Sequence, residues 1–258
     1  MGLVDKLLRY TPLNESYQRY KRKKNEDLQN KIDKQLLPAR TAFYRQFVMP
    51  GDMVFDVGAN VGNRVEAFLA CGAKVVAVEP QPACVATLKE KFADLITIEN
   101  IGLAEASGEL EMHIASDTTV SSFSKTYIES TRDRFRFSKW NGTIKVPIST
   151  LDNQIAKYGV PKFCKIDVEG YEPQVLRGLH TPIPYLSFEY CVPEMNDHVS
   201  TCVGLLNDIS STGVYNYSIG ESMSWAFKEW MNYETFKAHI ASQEFISTSF
   251  GDIYFKSS

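Results

Sequence analysis

The chain has 258 residues, 44% of them apolar and 23% charged, a composition suited to one globular domain with a sizeable core. Its formal net charge of −3 supplies no overall positive field for phosphates, which argues against a nucleic acid partner. No apolar run reaches the ~18 residues of a membrane span, the N-terminus lacks a signal-peptide core, and the five scattered cysteines include no CxxC pair, so reduced core thiols and a cytoplasmic location are expected.

Residues 1–48 are predicted to be an N-terminal helical extension to a domain spanning 49–258. Leu3, Leu7, Leu8, Leu28, Ile32, Leu36 and Leu37 recur at helical spacing, and these helices are expected to cover the entrance or an edge of a sheet. Within them Arg19, Lys21, Arg22, Lys23 and Lys24 form a basic run beside Tyr17 and Tyr20. It reads as a solvated helix face, with contact to an anionic substrate or a membrane surface as the alternative.

From residue 51 short β-rich runs alternate with helical ones, the pattern of βαβ units and a mainly parallel sheet. Strands are predicted at 53–57, 74–79, 95–99, 163–167 and 184–189, with helices near 62–71, 82–91, 172–179 and 198–211. The first strand runs into Asp56-Val57-Gly58-Ala59-Asn60-Val61-Gly62 at a strand-to-helix turn. Gly58 and Gly62 suit a turn with unusual dihedrals and a ligand lying against the main chain, with Asn60 between them. Asp56 is placed to accept hydrogen bonds from loop amides and to face a ligand ammonium. A GxNxG loop preceded by an acid differs from the dinucleotide GxGxxG and favours a nucleoside without a pyrophosphate. The second strand ends in Glu79-Pro80, where a carboxylate can accept both hydroxyls of a ribose. Asn100 and Ile101, after the third strand, are candidates for bracketing an adenine edge, although Asn and Gly are also ordinary turn formers there.

An insertion follows, in which Glu109 to Ile114 and Thr143 to Ile148 alternate like antiparallel strands. The polar and aromatic stretch 117–141 between them offers Ser121, Ser122, Tyr127, Phe135, Phe137 and Trp140 as a cover for an acceptor. In the fourth strand Lys165 and Asp167 share one side, and Asp167 and Glu169 sit at or just beyond the carboxyl end, where open α/β sheets bind ligands. Glu189 ends the neighbouring strand. Val214 to Ile219 and Asp252 to Lys256 are predicted as two closing strands around a helix at 232–241. The whole reads as a Rossmann-like, seven-stranded, mainly parallel sheet with one antiparallel strand.

Asp56-Val-Gly-Ala-Asn-Val-Gly62, Val78-Glu79-Pro80, Thr150-Leu-Asp152, Lys165-Ile-Asp-Val-Glu-Gly170 with its Glu172 to Gly178 continuation, and Ser187-Phe-Glu189 together resemble the FkbM family of S-adenosylmethionine (SAM)-dependent methyltransferases over roughly residues 45–190. The resemblance implies a class I methyltransferase sheet, SAM contacts at the glycine loop and Glu79, and O-methylation of a sugar or polyketide hydroxyl. A small-molecule or carbohydrate acceptor is the expected partner. Such a transfer needs positioning and a proton acceptor, for which Asp167 is the first expectation, Glu169 and Glu189 the next, with Lys165 beside them. The same three acids could ligate Mg²⁺ through oxygen. His113, His180, His198 and His239 fall outside these motifs. The rival readings are a nicotinamide-dependent oxidoreductase and a non-catalytic nucleoside-binding module.

Overall fold

The computed structural model describes residues 31–257. The basic run Arg19 to Lys24 and the apolar positions Leu3, Leu7, Leu8 and Leu28 lie outside them. Helix α1 spans residues 31–44. Its last turns and the residues after it, Phe43, Tyr44, Phe47 and Val48, pack with Val54, Phe68, Phe163 and Tyr254. The helix therefore covers a face of the sheet rather than the entrance or edge expected from the sequence, because aromatic rings one turn apart need a broad apolar surface to bury against.

Strand β1 (Met53–Val57) leads to α2 (Asn63–Ala70), and β2 (Lys74–Val78) to α3 (Pro82–Phe92) and β3 (Ile96–Glu99). The β-branched runs of β1 and β2 suit buried parallel strands, and Pro82 opens α3 where its missing N–H costs nothing. The insertion contains β4 (Gly102–Leu103), β5 (Gly108–Ala115), the short helix α4 (Lys125–Ser130) and β6 (Trp140–Ser149). There follow α5 (Leu151–Tyr158), β7 (Phe163–Ile166), α6 (Glu172–Arg177), β8 (Tyr185–Cys191) and α7 (Asn196–Ile209). The chain closes with β9 (Val214–Ile219), β10 (Met231–Asn232), α8 (Tyr233–Ile240), α9 (Gln243–Ile246) and β11 (Phe250–Lys256).

The large sheet has the order β10-β9-β11-β8-β7-β1-β2-β3. Strands β3, β2, β1, β7 and β8 are mutually parallel, and β11 runs antiparallel to both β8 and β9. The seven expected strands are present, and the two-residue β10 adds an eighth at the β9 edge. The antiparallel pair predicted in the insertion forms a second sheet, β4-β6-β5, separate from the first. Strand order reverses between β1 and β7, so the crevice at their carboxyl ends is the expected ligand position of a doubly wound sheet.

Candidate active site

The β1–α2 turn is shaped by its glycines. Gly58 and Gly62 have φ of 85° and 88°, and Asn60 also lies in the left-handed region at 46°. A Cβ on Gly58 would stand 1.7 Å from the Asp167 carbonyl oxygen, and one on Gly62 would stand 2.3 Å from the Phe92 ring. Glycine is thus required first by the chain's own packing, the loop pressing against the end of β7 on one side and α3 on the other. The Gly58 and Ala59 amides donate to Val78 O, and Asn60 N donates to Glu79 Oε2 at 2.8 Å. No side chain caps α2, whose first-turn amides remain open to an anionic group.

Glu79 is 2% exposed and its two oxygens are divided between Asn60 N and Gln81 N, both at 2.8 Å. Burial pushes its carboxyl up to about 7, against the lowering effect of those hydrogen bonds. Each oxygen keeps a lone pair for a further donor such as a ribose hydroxyl. Asn100 donates to the carbonyls of Glu79 and Pro80 at 2.9 and 3.0 Å. Its amide nitrogen braces the β2 turn, which leaves only Oδ1 for the adenine contact expected of it. Ile101 is half-buried against the core.

The acids of β7 and β8 converge. One ligand oxygen from each of Asp167, Glu169 and Glu189 lies within 4.8 Å of the others, a donor set suited to a hard cation such as Mg²⁺. Asp167 Oδ2 is 2.7 Å from Lys165 Nζ, and Asp252 Oδ1 is 3.5 Å from the same nitrogen. Lys165 is 1% exposed. Burial works against its charge, but Asp167 and Asp252 more than offset this and hold it protonated. Glu169 accepts a short hydrogen bond from the Tyr127 hydroxyl, and its φ is 55°. The Glu189 carboxylate makes no hydrogen bond among the described residues. Burial and the neighbouring carboxylates, Asp167 foremost, lift both glutamates well above the usual carboxylate range.

Asp56 corrects one expectation. It accepts nothing from the loop amides, which are taken by Val78 O and Glu79; instead it is 2% exposed, beside Lys165 in the β1–β7 register, with Oδ2 lacking a partner. Burial pushes it up to about 6, partly countered by Lys165. A buried carboxylate oxygen without a partner among the described residues, at the carboxyl end of β1, fits a ligand's ammonium group.

The stretch 117–141 is not irregular. It holds a 3-10 turn at Thr118–Val120 and α4, and it straps the site. Gln81 Nε2 donates to Thr118 O at 3.0 Å, Ser122 Oγ to Glu169 O at 2.6 Å, and Arg134 forms two bonds to Glu194 at 3.0 and 2.7 Å. Of the aromatic residues expected to face an acceptor, Tyr127 reaches the acids, whereas Phe137 is 80% exposed.

Sequence reasoning gave no site role to Asp252, nor to Glu172 although it lies in the motif that follows the fourth strand. Asp252 had a signal, an acid within the apolar strand β11; it sits opposite Glu189 across the ladder. Glu172 is 4% exposed, accepts from the amides of Val168 and Gly170, and is pushed by burial up to about 7. It fastens the turn carrying Glu169. His198 lines a narrow cavity with Tyr127, Glu172 and Glu189, while His180 is exposed and paired with Asp152.

Solved structures similar to the chain include precorrin-6y C5,15-methyltransferase from Geobacter metallireducens GS-15, with TM-score 0.45, 9% identity and 86% of each chain covered. A TehB-like SAM-dependent methyltransferase from Corynebacterium glutamicum gives 0.43 and 8%, covering 85% of this chain and 88% of that one. Fibrillarin from Aeropyrum pernix with bound S-adenosyl-L-methionine gives 0.40 and 9%, covering 81% and 68%. No curated protein matches the chain. The methyltransferase FkbM domain profile matches residues 56–200, from Asp56 of the glycine loop past Glu189 of the acid cluster. More than half of the sequence, including the glycine loop, Glu79 and the three converging acids, therefore falls under one family description, and the chain belongs to the FkbM family of SAM-dependent methyltransferases.

Proposed function

We propose that the chain transfers the methyl group of SAM to a hydroxyl of a sugar, glycan or natural-product acceptor, with Glu189 taking the proton. The observation that carries this reading is the convergence of Asp167, Glu169 and Glu189 at the ends of β7 and β8, one strand from the glycine loop. SAM supplies an electrophilic methyl carbon, so the chain has only to hold the acceptor oxygen in line and accept its proton. Glu79 holds the ribose, and Asp56 with the open amides of α2 holds the amino-acid end. Asp167 was the first expectation for the base, but its carboxylate is engaged by Lys165 at 2.7 Å. Glu169 is engaged by Tyr127. The Glu189 carboxylate makes no hydrogen bond among the described residues, and burial with the neighbouring carboxylates raises its affinity for a proton.

Lys165 and Asp252 act behind this group by fixing the charge around it. The test is methyl transfer from labelled SAM to a panel of hydroxyl, amine and thiol acceptors of matched skeletons. Labelled product with the hydroxyl members supports the reading; label found only on nitrogen or sulfur sinks it.

A further inference from the structure

The rim of the crevice differs in character from its floor. Residues 131–140 read Thr-Arg-Asp-Arg-Phe-Arg-Phe-Ser-Lys-Trp, four cations against one acid in a chain of net charge −3. Arg134 is consumed by Glu194 and by Ser249, to whose Oγ it donates at 2.9 Å. Arg132, Arg136 and Lys139 are exposed and form no ion pair among the described residues. Phe137 is 80% exposed, with the Arg136 guanidinium 4.9 Å from its ring centre. The Arg134–Ser249 bond seats this turn on the residue preceding Phe250, which is 42% exposed and lies over Gly220 next to Ile219, itself 45% exposed. Three exposed cations and three exposed large apolar side chains therefore share the carboxyl-end rim.

We propose that this rim docks the protein on an anionic phospholipid surface, Phe137 entering the headgroup boundary and Arg132, Arg136 and Lys139 meeting lipid phosphates. Apolar side chains ringed by cations are the chemistry of an interfacial anchor. A free anionic acceptor explains the cations but not the exposed rings, and an anion drawn into the crevice would meet Asp167, Glu169 and Glu189. Three cations on a chain of net charge −3 supply few phosphate contacts for a nucleic acid backbone, and because rings beside cations also serve single-strand binding, RNA is the competitor in the test below. The surface leaves the acidic floor for the uncharged, hydroxyl-bearing part of an acceptor presented from the membrane. Docking itself does not depend on the acceptor, so its failure and that of the proposed reaction are distinguishable.

The full chain is to be sedimented with vesicles of phosphatidylcholine alone and of phosphatidylcholine with phosphatidylglycerol, at low and at physiological salt. Binding confined to the anionic vesicles and weakened by salt is expected, and Arg136→Glu with Phe137→Ser should reduce it about tenfold or more. SAM affinity by calorimetry should be the same in the double variant and the parent, which shows that both are folded. No binding to anionic vesicles overturns the proposal. So does binding that survives the double variant but is lost on neutralising Arg19, Lys21, Arg22, Lys23 and Lys24, or displacement from vesicles by an RNA oligonucleotide at equal phosphate.

Discussion

At Glu79 two main-chain amides draw on the carboxylate proposed to hold the ribose, so removing it should have a double effect. Glu79→Ala is expected to weaken SAM or S-adenosylhomocysteine binding by ~1.5–3 kcal/mol. Unchanged affinity in a calorimetric titration would take Glu79 out of the ribose site. For the acids, Glu189→Gln should fold and bind SAM but lose ~10²–10⁴-fold in turnover at saturating substrates, because the amide keeps the shape and cannot take a proton. If Asp167→Asn shows that loss and Glu189→Gln does not, the base is Asp167. Abolition of parent activity by EDTA with rescue by Mg²⁺ would instead make the three acids ligands. Glu172 gives a pH prediction. Its carboxyl is raised from an ordinary 4.5 to about 7 in the fold. Between those values the unfolded chain gives up its proton first, so the group's contribution favours the fold below pH 4.5 and falls as pH rises to 7. Relative to the parent, Glu172→Gln should flatten the decline in urea-unfolding stability between pH 5 and 7.5; parallel curves would refute the shift.

Among the elements, the glycine turn and the strap carry the most consequence. Gly58 has no room for a side chain, since the carbonyl it would strike is that of Asp167 itself, one residue past β7. Gly58→Ala should therefore cost about 3 kcal/mol or more and weaken SAM binding together with stability, as read by denaturation and titration. The strap is held at separate points by Gln81, by the Tyr127–Glu169 bond and by the Arg134–Glu194 pair. Arg134→Ala frees one end, so limited proteolysis between residues 124 and 139 should quicken, and SAM with acceptor should slow it again. Cleavage unaffected by either change would show that the segment does not close over the acceptor. Part of this arrangement was legible beforehand. The alternation of Glu109 to Ile114 and Thr143 to Ile148 marked β5 and β6, whereas nothing local marked Tyr127 as the residue reaching Glu169, because that contact spans 42 positions of chain.

For the whole molecule, binding to the folded chain alone stabilises it by mass action, ~2.7 kcal/mol when SAM is present at 100 times its Kd. For a domain of this size that corresponds to a rise in Tm of about 5–10 °C. The same excess of NAD should leave Tm where it was, and an equal shift with NAD would contradict the discrimination read from the glycine loop. No helix among the described residues is long and apolar enough to cross a membrane.

What the sequence by itself determined is the set of features written in short-range pattern. The β-branched runs, the helical spacings, the positive-φ glycines and the acids at strand ends are local, and each constrains a few neighbouring residues whatever the rest of the chain does. Those features sufficed for the sheet, the glycine turn and the identity of the converging acids. Tertiary structure alone decided how charge is distributed among them, since burial and distance across strands set a carboxylate's proton affinity. It paired Lys165 with Asp167 and Asp252, left the Glu189 carboxylate without a hydrogen bond among the described residues and buried Asp56 beside Lys165. It also assigned the glycines' freedom to contacts within the protein and turned the insertion into a strap. Each of these depends on strands and loops far apart in sequence meeting at one crevice, which no local pattern encodes.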